Sequence, residues 1–593
     1  MSETQTRSRS SLELSASSLD LSASRRPLDS HSVPGKKHST RLRVGLLIES
    51  LYQPEWIGNI IRDISTSSTS DIAAVILRDV HGERGKTSTR WANRHKLLYS
   101  LYSKVDRRLF STSVDPLADT DVSPLIDGCR QLRVGSPKDG SGTDFSDQDA
   151  DRIRGEHLDV VLDFGRRATR RGAIGVAKYG VWAYHHSGDE ASNGLIGFWE
   201  VMEGQPITSS HLYAMSEQSG VEKVIYHSSS RTHPLSVRRN RTAALSKASA
   251  FTIRKLRDLY EDGPAALETL ATDTANGDGI RSIKPDRPLP SNREMLRLLS
   301  GLVFRYVVWR LAHYVRTEQW FLAFSLQQSR TSSDVPLRAG DRMTPIVPPK
   351  DRFWADPFAV KKEGGYYVFF EERPSVSRKG FLSVLEIDDT GVVGEPTKVL
   401  ERDYHLSYPF VFDWDGHYFM IPESAANKTV ELYRATQFPY RWELDCVLLK
   451  EVNAVDATLH WFENRWWMFV NIALPGASSC DELHIYHAES PRGPWLPHRR
   501  NPLKSNARNS RPAGRVYIHS GDLYRPAQDC SIRYGGSIVV NKIVRLDLDG
   551  FDEVEVGTIL PDWQPNLVAT HTINRVDGLT VMDAKWTRAR WGR

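Results

Sequence analysis

Cysteine is scarce in this 593-residue sequence, and long uncharged apolar runs are missing from it. The four cysteines are far apart, and no pair has the spacing of zinc ligands: Cys129, Cys446, Cys480 and Cys530. No run of about 18 or more uncharged apolar residues occurs, so the sequence predicts no membrane-spanning helix. These absences exclude a disulfide-built secreted fold and favour a reducing compartment, which we expect to be the cytoplasm.

Motifs with a known chemical role are missing as well. The sequence holds no GxxxxGK[ST] phosphate loop, no HExxH zinc pair and no GxSxG nucleophile elbow. Asp-x-Asp occurs as DWD from Asp413 and DLD from Asp547, but each runs into a glycine and is typical of a turn. The formal net charge of +5 is small for the length, and most basic residues are dispersed. We therefore expect no metal, no cofactor and no nucleic-acid partner.

The first half of the chain changes character near residue 43. Residues 1–42 are rich in Ser and Arg, lack the apolar core of a secretion signal, and are expected to be a disordered tail. Short apolar stretches then alternate with helical patterns, as in RVGLLIES, PEWIGNIIRDI and DIAAVILRD. This alternation predicts an α/β domain with a mostly parallel sheet over residues 43–262. Residues 263–317 are expected to be a linker followed by a helix.

The predicted helix LLSGLVFRYVVWRLAHYVR, from Leu298 to Arg316, has two interpretations. It is a buried linker helix whose arginines reach outward, or it lies on an anionic membrane surface. The second interpretation predicts a peripheral membrane contact.

The remaining residues, 318–593, show strand patterns and turns. Five segments share one template, an apolar or small step, a turn and an aromatic strand: WADPFAVKKEGGYYVFFEE, SYPFVFDWDGHYFMIPES, VDATLHWFENRWWMFVN, SRPAGRVYIHSGDLYRPAQD and ATHTINRVDGLTVMDAKW. Their starts are about 45 to 60 residues apart, the length of a four-stranded propeller blade. The repeat predicts a five-bladed β-propeller, with an irregular sandwich as the alternative. The strand-like EQWFLAFSL is expected to pair with the last blade and close the ring.

The repeat also predicts which side chains converge, because the first strand of each propeller blade lines the axial channel. The template-equivalent residues are Asp356, Tyr408, Asp456, Arg511 and His571. A second ring is expected at the ends of the following strands, from Glu371, Glu372, Glu423, Asp529 and Asp583. Carboxylates, a phenol, a guanidinium and an imidazole in one funnel suit an anionic or sugar substrate.

Three of these carboxylates are the candidate catalytic residues. Glycosyl chemistry needs paired carboxylates to protonate a leaving oxygen or to deprotonate a nucleophile. We expect Asp356 to act as base or transition-state stabiliser, with Asp456 or Glu423 as its acid partner. The alternative for Asp356 is a purely structural role, since Asp before Pro often forms a turn.

The motifs WADPF, HLSYPFVF, PES, RPAG and YRPAQDC resemble the domain at the amino-terminal side of plant glucosamine inositolphosphorylceramide transferase. The resemblance covers roughly residues 318 to 590. That domain is similar to the five-bladed propellers of glycoside hydrolases that act on arabinans and xylans. In those enzymes an Asp in a blade-one Asp-Pro step is the general base, so the resemblance implies this role for Asp356.

The resemblance does not imply the complete machinery. Asp456 matches one of the two other hydrolase acids, but blade four has Arg511 in place of a carboxylate. Hydrolysis is therefore not implied. The sugar-transferring module of the plant enzyme is a separate domain outside the resembling residues, so its reaction is not implied either.

Residues 43–230 are similar to the formyltransferase fold, through HLDVVLDFG, YGVWAYHHSG and GFWEVMEGQPITSSHLY. In that family an Asn, a His and an Asp position the formyl donor and move its proton. His185 matches the His, whereas Ala183 stands at the Asn position and Gln218 at the Asp position. The loss of the amide and the carboxylate removes the oxyanion donor and the general base. The resemblance thus implies a degenerate domain that binds a ligand or acts as a scaffold.

Together these patterns predict a carbohydrate-active enzyme of glycan or glycolipid biosynthesis that transfers or modifies a glycosyl unit. The alternatives are a formyl or related one-carbon transferase acting on an amino sugar, and a non-catalytic glycan-binding or scaffolding protein. The expected partner is a sugar or glycolipid substrate, with a nucleotide sugar as candidate donor. The residues expected to bind substrate are Trp354, Tyr408, Arg511, His571, Arg525, Asp529 and His185.

Overall fold

The computed structural model describes residues 40–79, 96–135, 145–165, 175–186, 195–215, 222–267, 287–326, 343–377 and 379–590. The predicted tail over residues 1–42 and the predicted linker lie largely outside these ranges. Within them the chain builds an α/β part and a ring of five β-sheets.

The N-terminal part is a seven-stranded sheet with helices packed against it. A separate two-stranded ribbon, β2 with β4, lies outside this sheet. The strands of this part are β1 Leu42–Ile48, β2 Tyr52–Pro54, β3 Ser70–Asp79, β4 Asp119–Asp121, β5 Arg130–Gly135, β6 Val160–Asp163, β7 Val181–His186, β8 Ile207–Met215 and β9 Glu222–Arg231. The helices are α1 Glu55–Ser65, α2 Leu97–Leu109, α3 Asp147–Arg154, α4 Phe198–Glu203, α5 Val237–Ala248, α6 Phe251–Asp262 and α7 Asn292–Val315.

The strand order of this sheet is β5-β3-β1-β6-β7-β8-β9. The first five strands are parallel, and β8 and β9 are added antiparallel at one edge. The sequence of β1 is almost continuously apolar because both of its faces are covered. On one face Val44, Leu46 and Ile48 pack with Ile60 and Ile64 of α1. The sheet is therefore a mixed α/β sheet, as the alternation of strands and helices predicts.

Helix α7 connects the two parts of the molecule. Its N-cap is Ser291, whose hydroxyl accepts a hydrogen bond from the Glu294 amide. The first turns bury Met295, Leu298 and Leu302 against α4, and the last turn runs directly into the next strand at residue 316. None of the helices described here is long and apolar enough to cross a membrane.

The C-terminal part consists of β-strands in five consecutive sheets. The strands are β10 Arg316–Leu326, β11 Thr344–Ile346, β12 Arg352–Lys362, β13 Gly365–Pro374, β14 Phe381–Asp388, β15 Gly391–Leu400, β16 Ser407–Trp414, β17 His417–Ser424, β18 Thr429–Gln437, β19 Arg441–Lys450, β20 Ala454–Phe462, β21 Arg465–Ile472, β22 Glu482–Ala488, β23 Leu496–Pro497, β24 Lys504–Ser505, β25 Tyr517–His519, β26 Asp522–Asp529, β27 Ser537–Leu546, β28 Phe551–Ile559, β29 Leu567–Ala569, β30 Ile573–Val576 and β31 Leu579–Ala589.

These sheets form the predicted five-bladed propeller. Blades one and two are antiparallel sheets of β12–β15 and β16–β19, blade three is built on β20–β22, and blade four contains β25–β28. Blade five pairs β10 with β31 over eleven residues, from Arg316 with Ala589 to Leu326 with Leu579. The segment EQWFLAFSL lies in β10, so the predicted closure of the ring by this strand is confirmed.

Candidate functional site

The inner strands of the first three blades bend at the same place. Asp356, Tyr408 and Asp456 all have positive φ, at 54°, 45° and 57°. The strand pairing of each blade shifts register at this residue, which marks a β-bulge. A non-glycine residue rarely takes this conformation, and Asp tolerates it better than most. The bulge re-aims the side chain, and it brings the first and third of these residues into one axial cluster.

Asp356 lies in a group of residues contributed mainly by blade five. Its backbone N–H donates to Asp583 Oδ2 at 3.0 Å, and its Oδ1 accepts from the Thr572 hydroxyl at 2.7 Å. The His571 ring bridges the two carboxylates, with Nδ1 2.6 Å from Asp583 Oδ2 and Nε2 3.8 Å from Asp356 Oδ1. Trp320 of the closing strand stacks on His571, with ring centroids 4.2 Å apart. Blade one and blade five are thus joined at the axis.

This group has a distinct protonation pattern. Burial raises the pKa of Asp356 to about 6, against the opposing charge of His571. Burial alone would lower the pKa of His571, but the carboxylates of Asp583 and Asp356 outweigh it and raise that pKa. Within the described residues, Asp356, His571 and Asp583 are also the one set of ligand-type side chains whose donor atoms lie within 4.8 Å of one another. This spacing would allow a cation to bind, and the expectation of no metal stays a prediction.

The other side of the cluster is an ion pair between blades three and four. Arg511 donates from Nε to Asp456 Oδ2 at 2.6 Å and from Nη2 to Asp456 Oδ1 at 3.2 Å. Gln528 Nε2 adds a third donor to Asp456 at 2.8 Å. Arg511 Nη2 also lies 3.4 Å from Glu423 Oε2 and donates to the Tyr534 hydroxyl at 3.3 Å. Asp456 is therefore held in place by charge-assisted hydrogen bonds from a buried guanidinium.

Two glutamates complete the cluster. Burial, reinforced by the nearby Asp356 and Glu423, raises the pKa of Glu371 well above its usual value. Burial and the Asp456 charge do the same for Glu423, whose side chain keeps 14% exposure. The cluster therefore contains three buried carboxyl groups whose pKa values are all raised, Asp356, Glu371 and Glu423. Raised carboxyl pKa values are typical of groups that exchange protons in acid–base chemistry.

Two residues expected to bind substrate, Trp354 and Tyr408, are packed into the protein instead. Tyr408 is fully buried against Phe358, and its hydroxyl contacts Thr458 at 3.0 Å and accepts from the Gly514 amide at 2.7 Å. Trp354 is buried beside Phe370, with ring centroids 5.2 Å apart. Because both rings are covered by neighbouring side chains, the structure does not support a stacking role for them.

Other expected residues lie outside the cluster. Arg525 is 1% exposed and binds Glu553 of blade four through Nε and Nη2, at 2.9 and 2.6 Å. Asp529 accepts from Ser531 and Arg508, and Glu372 pairs with Arg352 at 2.7 Å. These contacts lie within a single blade or its adjoining loops. Of the predicted second ring, Glu371, Glu423 and Asp583 belong to the axial cluster.

His185 lies in the N-terminal sheet, away from the propeller axis. It is cross-strand partner of His211, which is in turn partner of His227. His211 and His227 approach each other with 3.1 Å between their Nδ1 atoms. Burial lowers the pKa of His211 to about 3, so it is neutral near physiological pH. The position of Gln218 lies outside the described residues, and the formyltransferase role stays a prediction.

Some residues of the cluster were not predicted from the sequence. Tyr534 lies over the Arg511 guanidinium at 5.0 Å and meets the His571 ring edge-on at 5.3 Å. Trp320 and Thr572 contact the Asp356 side of the cluster, and Gln528 contacts Asp456. The sequence could have indicated Gln528, because it belongs to the YRPAQDC motif, and Thr572, because it follows the template residue His571. Tyr534 follows a strand in a loop, where no repeat indicates its direction.

A loop that carries one wall of this site also contacts the N-terminal part. The Ser479 carbonyl accepts from Arg511 Nη1 at 3.4 Å. Two residues later, Asp481 Oδ2 accepts from Lys247 Nζ at 3.0 Å and from the Ser230 hydroxyl at 2.6 Å. The next residue, Glu482, forms a bidentate pair with Arg254 at 2.7 and 3.1 Å. Buried charges of the α/β part thus fix the loop that holds Arg511.

A cavity of about 270 Å³ lies elsewhere along this contact between the two parts. Its lining includes Trp56, Arg62 and Asp115 of the α/β part and Leu474 and Pro475 of the propeller. The cavity is separate from the axial cluster, and its lining shares no residue with that cluster.

Comparison with known proteins identifies a relative of the propeller. Residues 343–581 match the family described as glucosamine inositolphosphorylceramide transferase 1, N-terminal. The glucosamine inositolphosphorylceramide transferase 1 of Arabidopsis thaliana is 37% identical over 208 residues, which are 34% of this chain and 27% of that protein. The protein of the same name from Oryza sativa subsp. japonica is 36% identical over 208 residues, 34% of this chain and 28% of that one. The chain thus spans about a quarter of the length of these relatives.

Solved structures with some likeness are glycoside hydrolases. Zg3597, a family 117 glycoside hydrolase of Zobellia galactanivorans, aligns with 10% identity and a TM-score of 0.30, covering 45% of this chain and 90% of its own. The α-L-arabinanase of Cellvibrio cellulosa, solved with arabinohexaose, aligns with 12% identity and a TM-score of 0.27, covering 34% of this chain and 77% of its own.

Proposed function

We propose that the propeller acts by acid–base chemistry on a glycosyl unit of a glycan or glycolipid precursor. The observation that carries the proposal is the convergence of buried carboxyl groups with different bonding partners at the propeller axis. Asp356 has a pKa of about 6, raised chiefly by burial, whereas burial and neighbouring charges hold the pKa values of Glu371 and Glu423 well above their usual range. Carboxyl groups whose environments push their pKa values apart are suited to act as base and acid.

Each residue has a role in this proposal. Asp356 is the general base, oriented by Thr572, and Glu423 is the general acid because burial raises its pKa, which favours its protonated form, and its side chain remains partly accessible. Asp456 is not the acid, since Arg511 binds it through two nitrogens. The Asp456–Arg511 pair instead fixes the position of Glu423.

The substrate class rests on the relatives. The matched plant proteins are named as glucosamine inositolphosphorylceramide transferases. We therefore propose a sugar-bearing glycolipid or its precursor as substrate, with a nucleotide sugar as candidate donor.

The test uses the full chain with a panel of sugar nucleotides and inositolphosphorylceramide as acceptor, and with aryl glycosides for hydrolysis. Mass spectrometry detects the product. Asp356→Asn and Glu423→Gln are each expected to lower turnover by about a hundredfold or more. Glu372→Gln, which alters a carboxylate bonded to Arg352 outside the cluster, is the matched control and should leave turnover unchanged.

A second candidate function is glycan binding without turnover. This function is favoured by the ion pair between Arg511 and Asp456. The pair occupies a carboxylate that a hydrolase-like site would use for catalysis. Sugar binding detected by calorimetry, with no product from any donor and with binding intact in Asp356→Asn, would select this function over catalysis.

A further inference from the structure

The second half of α7 projects from the molecule with its apolar residues in solvent. Phe304, Trp309, Leu311 and Tyr314 are 69%, 49%, 58% and 60% exposed. Val303, Val307, Val308 and Val315 are exposed as well. We call residues 303–315 the α7 projection. An apolar surface of this kind on a soluble part of a protein marks a contact with another surface.

Helix α2 packs beside the first turns of α7 and has exposed apolar residues of its own. The Leu98 amide at its start donates to Asn292 at 3.1 Å, and its residues Leu98, Tyr99 and Tyr102 pack in the cluster that contains the first turns of α7. On its solvent side Leu97, Leu101, Val105 and Leu109 are 45–68% exposed. The α7 projection and this side of α2 together present exposed large apolar side chains from two helices.

The charges of both helices have one sign where they are exposed. No Asp or Glu occurs between Met295 and Thr317, while this stretch holds Arg297, Arg310 and Arg316 at exposed positions. Lys104, Arg107 and Arg108 are exposed on α2, whose one acidic residue, Asp106, is buried and accepts from the Arg238 amide. Arg305 is directed inward and donates to the carbonyls of Val201 and Met202.

We propose that the α7 projection and the exposed side of α2 dock on an anionic phospholipid membrane. Apolar side chains interleaved with Arg and Lys, and with Trp and Tyr among them, are the composition of helices that lie in the headgroup region. A second copy of the chain fits less well, because a two-fold contact would bring the same basic surface against itself. The surface attaches without spanning, and its basic side chains reach anionic headgroups.

The position of this surface has a consequence for the axial cluster. Helix α7 continues into β10 without a loop, and Trp320 of that strand stacks on His571. The four steps of extended chain from Arg316 to Trp320 span about 13 Å. A docked molecule therefore holds the axial cluster close to the lipid headgroups. The docking itself does not depend on the proposed function.

Vesicle flotation tests the proposal on the full chain. The protein is mixed with vesicles of phosphatidylcholine alone or of equal parts phosphatidylcholine and phosphatidylserine. It should float with the anionic vesicles and be released by high salt, since salt screens the headgroup attraction. The double variant Phe304→Ser, Leu311→Ser should bind about tenfold or more weakly, because both side chains lose apolar contact with lipid.

Matched variants separate docking from general effects. Arg310→Glu should weaken binding to anionic vesicles, whereas Arg441→Glu and Ile518→Ser, at exposed positions of the propeller, should not. All variants should keep the wild-type unfolding temperature because the changed side chains are exposed. Unchanged flotation of the double variant and of Arg310→Glu would overturn the proposal. A dimer in light scattering that the double variant converts to monomer, without vesicle binding, would show that a second copy covers the surface.

Discussion

At the scale of single residues, Asp356 and Asp456 occupy equivalent positions in different blades but have different electrostatic surroundings. Both follow the same bulge and both are buried. Asp456 is bound by a guanidinium, whereas Asp356 has the His571 ring at 3.8 Å and the Asp583 carboxylate bonded to its own amide. An ionised Asp356 is therefore the less stabilised of the two, which is the property expected of a base.

The pH dependence of stability should reveal this difference. Burial raises the pKa of Asp356 to about 6, so the folded chain binds a proton more tightly than the unfolded chain. The free energy of unfolding should therefore fall as the pH rises from about 4 to about 6, by about 3 kcal/mol from this group. Asp356→Asn removes the group whose ionisation lowers the free energy of unfolding. Urea unfolding near pH 7.5 should therefore show the variant to be at least as stable as the wild type.

Asp456→Asn is the matched comparison, because it makes the same chemical change one bulge away. Here the substitution leaves the buried Arg511 guanidinium without its bidentate carboxylate partner. The free energy of unfolding near neutral pH should fall by about 3 to 5 kcal/mol. If the two variants shift stability in the same direction, the assignment of their charges is wrong.

At the scale of elements, the loop between β21 and β22 links the axial cluster to the α/β part. It offers the Ser479 carbonyl to Arg511 and the Asp481 carboxylate to Lys247. The Lys247 and Asp481 side chains are 2% and 0% exposed. A buried pair of this kind holds a defined geometry, since either charge alone would be strongly unfavourable in this place.

Removing the Lys247 charge should uncouple the two parts. Lys247→Met keeps the apolar length of the side chain but leaves the buried Asp481 without the Lys247 cation, so stability should fall by about 3 to 5 kcal/mol. Scanning calorimetry should then resolve separate unfolding transitions for the two parts. Arg500→Ala is the control at the same contact, where the 36% exposed guanidinium pairs with Asp262 and contributes at most about 1 kcal/mol. Equal losses from both variants would contradict the buried-pair argument.

The sequence repeat predicts the strands and their inner positions better than it predicts the side-chain contacts between blades. Position within the template placed Asp356, Asp456, Arg511 and His571 at the axis correctly, because the blades repeat their geometry. It could not show that Arg511 binds Asp456, 55 residues away, since that contact depends on how two blades meet. It also gave Tyr408 the wrong surroundings, because the bulge turns its ring into the core between β12 and β16.

At the scale of the whole molecule, closure of the ring depends on residues from outside the matched family region. That region covers residues 343–581, so it omits β10 and ends inside β31. The first and last strands of the propeller nevertheless pair over eleven residues and bring Trp320 and Asp583 to the axis. The sequence predicted this closure from one strand-like segment ahead of the first blade.

Truncation tests how far the ring depends on its last strand. A chain ending at Asp577 lacks β31 and leaves one edge of β10 without a partner. We expect it to lose cooperative thermal unfolding and to form oligomers through that edge, as measured by circular dichroism and light scattering. A chain ending at Arg590 keeps the strand pairing and the hydrogen bond from the Arg590 amide to the Val315 carbonyl, and it should behave as wild type. A monomeric, cooperatively unfolding chain that ends at Asp577 would refute the dependence.

The hydrogen bond from the Asp356 amide to Asp583 also determines how early in translation the axial cluster can form. The two residues are 227 positions apart in the chain. At about 5 to 20 residues per second, a ribosome adds Asp583 roughly 11 to 45 s after Asp356. During that interval β10 and the inner strand of blade one have been made, but the strand that joins them at the axis has not. The contact between Asp356 and Asp583 can therefore form only after residue 583 has been synthesised.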